Sequence, residues 1–261
     1  SGGSRRTSAT TPMTDLADEG RGLVTNRTSA TLSSAVGDQS VGPAAVLWDM
    51  DGTLVDTEPH WVETEYELAE RHGGRWSDAD ALNLVGNDLR SSGAYIREHM
   101  GIDLEVDEIV EELLDGVVRK VEEEVLWRPG AVELLGRLRE SGVPCGLVTS
   151  SYDRFVAPIL SQLPPETFRV IVTGDRVEQG KPHPEPYLTA AAALDVDAAH
   201  CLAIEDSNTG AKSAESAGCL VLVVENHVPV LASERRVFAD TLEGVDLARV
   251  WQEGNPGPRV P

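Results

Sequence analysis

Asp49-Met50-Asp51-Gly52-Thr53-Leu54-Val55-Asp56-Thr57 follows directly on the apolar run Ala44–Trp48, and the fold turns on how this stretch is read. In extended chain alternate residues point to the same side, so Asp49 and Asp51 face one site together. Two carboxylates that close do not both stay ionised unless a cation sits between them or one keeps a proton. Gly52 lets the chain turn away sharply after them. Asp-Gly is also common in plain turns. Such a turn has no need of Asp49, so the pair points to chemistry at the end of a strand.

Outward from this stretch the pattern is α/β. Apolar runs rich in β-branched residues recur at Ala44–Trp48, Val143–Val148, Val170–Val172, Cys201–Ile204 and Leu220–Val224. Continuous runs of this kind are what strands buried on both faces of a parallel sheet look like. Helical segments are expected between them at Ala131–Glu140, Asp153–Leu163, Pro184–Leu194 and Asn208–Ala217. The alternation predicts a doubly wound parallel sheet with right-handed crossovers, and ligands at the carboxyl ends of its strands.

One block interrupts the alternation. Residues 59–127 offer helices without a convincing strand, so the chain divides into a core over 44–58 and 128–253 and a helical insertion between. Helices are expected at Glu58–Arg71, stopped by Gly73-Gly74, and at Val106–Val125, with Ser77 as an N-cap and Asp80 at N3 between them. The acids of the last helix, against Arg119 and Lys120, read as a solvated face. Residues 1–43, rich in Ser, Thr, Gly and Ala, are expected to be a disordered extension without the apolar segment of a secretory signal. Residues 254–261 are expected to fray.

Composition excludes several classes. The 261 residues carry 22 Lys and Arg against 44 Asp and Glu, a formal charge of −22, which argues against a nucleic-acid surface. No apolar run approaches the roughly 20 residues that span a bilayer. The odd cysteines Cys145, Cys201 and Cys219 sit in or beside apolar runs and read as buried thiols of a reducing compartment, the cytoplasm.

The other strands end in chemistry too. Leu147-Val148 runs into Thr149-Ser150-Ser151, hydroxyls at a helix start suited to holding a phosphate. Gly180-Lys181-Pro182-His183-Pro184 supplies one of only three lysines just before a helix. Ile204 leads into Glu205-Asp206-Ser207-Asn208, two acids that, with Asp49, are the oxygen ligands a hard cation such as Mg²⁺ takes. Each has an ordinary explanation as a helix cap or a surface charge. Their occurrence together, in order, after successive strands, does not.

This order and wording resemble the haloacid dehalogenase superfamily over nearly all of residues 44–225, with Asp49 to Thr53, Thr149, Lys181 and Glu205-Asp206 standing for its four motifs and the helical block for its C1 cap. The resemblance implies a Mg²⁺-dependent phosphatase working through an aspartyl phosphate. Asp49 would be the nucleophile and Asp51 the general acid and base. Mg²⁺ would lie on the Asp49 carboxylate, the Asp51 carbonyl and Asp206, with Glu205 in or near its shell. Thr149, Ser150 and Lys181 would bind the phosphoryl oxygens. Relatives with such caps are often monomers.

Within the superfamily the pair Asp49 and Asp51 disfavours the dehalogenases, and Lys120, inside an acidic helix, disfavours the phosphonatases. β-Phosphoglucomutase shares Asp56-Thr57 and Lys181-Pro182-His183-Pro184, but usually has a histidine where this chain has Trp61 and Gly-x-Ser-Arg where it has Gly86-Asn87-Asp88-Leu89-Arg90. Asp56-Thr57-Glu58-Pro59-His60-Trp61 looks more like sugar- and polyol-phosphate phosphatases, so a hexose or polyol phosphate is the expected substrate. A phosphosugar mutase and a non-catalytic phospho-ligand binding module are the alternatives. Glu58, His60, Trp61, Asn87 and Arg90 are the candidate cap-side contacts, with Trp61 slightly more expected to pack the cap on the core than to stack on a sugar.

Overall fold

The computed structural model describes residues 42–85 and 87–255. The expected N-terminal extension falls almost wholly outside the described residues, as does the tail beyond Asn255; Gly254 closes a helix rather than opening a frayed end.

Strands β1 (Ala45–Trp48), β2 (Cys145–Val148), β3 (Val170–Val172), β4 (Cys201–Glu205), β5 (Leu220–Val223) and β6 (Arg236–Phe238) form one parallel sheet in the order β3-β2-β1-β4-β5-β6. The direction of strand addition reverses at β1, which leaves a crevice beyond the carboxyl ends of β1 and β4. The side-chain period of two sorts each strand between two cores. Val46 and Trp48 of β1 and Leu202 and Ile204 of β4 enter one, covered by Leu134 and Leu138 of α5 (Ala131–Glu140) and Phe155 and Ile159 of α6 (Asp153–Leu160). Ala45 and Leu47 with Cys201 and Ala203 enter the other, under Tyr187 and Ala190 of α7 (Glu185–Ala193) and Ala211 and Ala214 of α8 (Asn208–Ala217). The sheet is thus doubly wound, as expected.

Between β1 and α5 lies the helical cap: α1 (Glu58–His72), α2 (Asp78–Leu82), α3 (Leu89–His99) and α4 (Val106–Glu123). Ser77 and Asp80 form the expected capping box of α2. Gly116 of α4 allows a close crossing with α1, since a Cβ there would stand 2.3 Å from Thr64 Cγ2. Helix α4 serves two cores. Ile109 and Leu113 pack with Leu68, Ile96 and Met100 inside the cap, while Leu114, Val117 and Val121 pack with Phe155 and Val156 of α6. Its acids are partly engaged rather than only solvated: Arg154 reaches Glu111 and Asp115, and Arg71 reaches Glu112; its Lys120 pairs with Glu63 and Glu67 of α1.

Some limits differ from expectation. Helix α6 stops at Leu160 and so falls short of Leu163, which precedes Pro164 and, as the residue before a proline, avoids the helical region. Helix α4 stops at Glu123, where acids crowd the negative end of the helix dipole. Strand β6 and α9 (Leu247–Gly254) carry short, polar-interrupted patterns and were not anticipated. The three thiols are buried and free, and burial pushes them up, Cys201 to about 11 and Cys145 and Cys219 to about 12.

The cap also buries an acid. Glu65 of α1 is 4% exposed, and the Trp76 indole donates to its Oε2 at 3.0 Å. Burial raises its carboxyl from the ordinary 4.5 to about 7, aided by the nearby Glu58 and only partly opposed by Trp76. A raised carboxyl contributes stability that is complete below its unfolded value and is lost as pH rises through its folded one. Glu65→Gln keeps an acceptor for Trp76, so its stability relative to the parent chain should climb between pH 4.5 and 7. By pH 8 the gain should reach up to about 3 kcal/mol. Urea midpoints measured across that range check this, and a pH-independent difference would refute it.

Candidate active site

Parallel register builds the centre of the site. Trp48 pairs with Ile204, so Asp49 and Glu205 come level, and the period of two turns both toward Tyr187. Lys181, from the loop before α7, inserts its Nζ between them, 2.6 Å from Asp49 Oδ1 and 2.7 Å from Glu205 Oε1. Tyr187 donates its hydroxyl to Glu205 Oε1 at 2.5 Å, and Ser207 donates to Oε2 at 3.2 Å. Glu205 is fully buried.

Asp51 stands in a ring of hydroxyls. Thr57 donates to its Oδ1 at 2.7 Å, and Ser151 donates to Oδ2 at 2.7 Å, with Thr149 at 3.4 Å. Its carboxyl is raised, chiefly by burial and further by the negative charge of Asp49, with Ser151 and Thr57 pulling the other way. The turn that carries the chain past Asp51 is closed by amides of Thr53, Leu54 and Val55 on the Met50 carbonyl. Gly52 has φ +88°, and a Cβ there would lie 2.0 Å from Asp206 Oδ2. Only glycine meets both demands.

Asp49, Glu205 and Asp206 can bring one carboxylate oxygen each within 4.8 Å of one another. Burial and the negative charges of Asp49 and Glu205 drive the Asp206 carboxyl well up. Three crowded carboxylates against one lysine are hard oxygen donors with negative charge to spare, a set that fits a divalent cation of the Mg²⁺ kind.

These groups floor a cavity of about 400 Å³ under the cap. Asp49, Asp51, Thr149, Ser150, Lys181 and Asp206 line it, while Glu205 is withdrawn behind Lys181. Of the cap-side candidates, Glu58, Trp61, Asn87 and Arg90 also line it. Trp61 meets Phe155 edge to face, with ring centroids 5.6 Å apart, so it packs cap on core and still faces the cavity. Arg90 pairs with Asp107 at 2.9 Å, both well exposed. Asn87 donates to the Asn83 carbonyl. His60 is corrected: it is buried with Nε2 on the Glu124 carbonyl at 3.0 Å, and it does not line the cavity. Helix rotation of about 100° per residue turns position 60 away from the face shared by 58, 61 and 65.

Sequence reasoning passed over Tyr187, His227 and Glu65, and it read Ser151 only as one of the phosphate-side hydroxyls, not as a partner of Asp51. The signal for Glu65 was present as an acid seven residues after Glu58 and four after Trp61. His227 follows β5, bonds Asp56 at 3.2 Å and reaches the cavity only through the fold.

Removing one partner of a buried ion pair leaves the other uncompensated. Lys181→Met should therefore cost about 3–5 kcal/mol of stability with divalent metal chelated, read from urea unfolding. An unchanged midpoint would show that the lysine does not neutralise these acids.

Residues 46–224 match the family model of the haloacid dehalogenase-like hydrolases. The putative phosphatase YhcW of Bacillus subtilis is 34% identical over 190 residues, 70% of this chain and 84% of that protein. Hexitol phosphatase A of Escherichia coli is 34% identical over 182 residues, 68% of this chain and 81% of that one. Among solved structures, a putative β-phosphoglucomutase from Thermotoga maritima superposes with a TM-score of 0.63 at 30% identity, covering 71% of this chain and 87% of that chain. The fold, the acid- and lysine-lined cavity at the strand ends and these likenesses together lead to one conclusion: the chain belongs to the haloacid dehalogenase-like hydrolases, as an enzyme of their phosphomonoester-hydrolase kind.

Proposed function

We propose that the chain is a Mg²⁺-dependent phosphatase of a hexose or polyol phosphate, acting as a monomer in the cytoplasm through an aspartyl-phosphate intermediate. The observation that carries the reading is the convergence of Asp49, Asp51, Lys181 and Asp206 at the floor of one capped cavity. Hexitol phosphatase A and the phosphorylated carbohydrates phosphatase of Thermotoga maritima, 31% identical over 175 residues, support the substrate class.

In this reading an Asp49 oxygen forms a bond to phosphorus as the bond from phosphorus to the ester oxygen breaks. Asp51 gives its proton to the departing alcohol. Its raised carboxyl supports a protonated start, and Thr57 and Ser151 hold both its oxygens in place. Water then attacks the phosphoryl group, Asp51 takes back a proton, and the bond to Asp49 breaks. Lys181, Thr149 and Ser150, which line the cavity beside Asp49, would meet the phosphoryl oxygens. Asp49, Asp206 and the Asp51 carbonyl would hold Mg²⁺, with Glu205 behind them, and the ion would offset charge on the transferring group. The helical block, joined by Asp56 N on the Leu126 carbonyl and Arg128 N on the Leu54 carbonyl, would exclude bulk water from the reaction.

The test is metal-dependent phosphate release from a panel of hexose, hexitol and glycerol phosphates, phosphoglycolate and nucleotides. A few related sugar or polyol phosphates should turn over, with loss in EDTA. Asp49→Asn should lower kcat by at least about a thousandfold, and Asp51→Asn by about 10²–10⁴-fold. Turnover that survives Asp49→Asn would remove the covalent step, and preference for nucleotides would remove the substrate class.

A further inference from the structure

Glu65, on the cap helix α1, lines the cavity, as do the apolar Leu84, Leu113 and Leu114. Its Oε2 accepts from Trp76, whereas its Oε1 has no hydrogen-bond partner among the described residues and is not sealed from solvent. A partner for one indole N–H needs a single acceptor, which a neutral glutamine would supply at far lower cost of burial. Among the described residues no cation compensates this acid; Lys120, on the facing helix α4, is taken by Glu63 and Glu67.

Its position measures the cavity. Glu58, Trp61 and Glu65 share one face of α1, and Glu58 lies at the end near Asp51. Seven residues of helix put Glu65 about 10 Å further on, a span suited to the carbon chain of a hexose-sized ester. The cap side is also short of positive charge. Arg90 is engaged by Asp107 and His227 by Asp56, while Asp56, Glu58, Glu65 and Asp88 all line the space.

We propose that Glu65 is the specificity-determining residue of this cavity: its open oxygen takes a hydrogen bond from a hydroxyl at the end of the leaving alcohol remote from the phosphoryl group. Neutral polyhydroxyl phosphates are thereby selected over esters that end in a second anion. The apolar walls strengthen this bond, because water does not compete there. An ionised carboxylate accepts from a hydroxyl there, whereas a glutamine with its oxygen on Trp76 would present an NH2 that only donates. The inference rests on the phosphatase reading above and adds to it the group that reads the alcohol.

The experiment compares the parent chain with Glu65→Gln on hexitol phosphate, phosphoglycolate and phenyl phosphate, which lacks remote hydroxyls. Glu65→Gln should lower kcat/KM for hexitol phosphate about ten- to hundredfold relative to phenyl phosphate. The preference for hexitol phosphate over phosphoglycolate should narrow as well. An equal change on all three substrates, or none, would overturn the proposal. A second measurement does not need turnover: calorimetric titration of hexitol phosphate into Asp49→Asn and into Asp49→Asn with Glu65→Gln. Tenfold weaker binding in the double variant supports the role of Glu65 even if the parent chain released no phosphate, an outcome that would count against the phosphatase reading alone. Equal affinities would end the proposal whatever the turnover.

Discussion

The buried ammonium of Lys181 is the interaction on which the rest depends. Held between Asp49 and Glu205, it allows two acids to stand side by side at the ends of β1 and β4. Tyr187 and Ser207 take up the remaining capacity of Glu205. The space left is so small that a Cβ on Gly210 would lie 2.0 Å from the Glu205 oxygens. Asp206 is left without a cation of its own, burial beside two acids drives its carboxyl up, and the three acids form a set that fits a divalent cation. In the proposed reading, a protein of net charge −22 would recruit an anion locally. Lysine, metal and amide dipoles would act over a few ångströms, whereas the distant surface acids are screened.

The cap works by a different balance. Helix α4 gives one end of its apolar stripe to the cap's own core and the other to α6, so the roof of the cavity is positioned by packing on both sides. Trp61 against Phe155 extends the same contact to the cavity wall. Within this well-packed roof Glu65 is a local conflict, an acid where stability favours a neutral group. Conflicts of that kind concentrate where a chain gives up stability for recognition.

Much of this was legible in the chain. Continuous apolar runs marked β1 to β5, and the acids, hydroxyls and lysine that follow them marked the floor of the site. Asp49, Asp51, Thr149, Ser150, Lys181 and Asp206 do line one cavity. The Ser77 capping box was equally plain, because its partners lie three residues apart. Strand β6 was not, since three half-exposed residues at a sheet edge carry almost no period. His60 misled for a related reason: proximity to Glu58 and Trp61 in sequence says nothing until the helix rotation is fixed by packing.

The sequence by itself determined the local terms: strand and helix periods, the glycine turn after Asp51, and which residue types stand at each strand end. These depend on neighbours a few positions away, and so appear in the order of residues. Only the tertiary structure decided that Lys181 joins Asp49 to Glu205, that Ser151 and Thr57 grip Asp51, and that Glu65 opens on the cavity while His60 does not. Those are contacts between segments brought together by the parallel register and by the seating of α1 and α4. Their energies come from burial and from distances that no local pattern encodes.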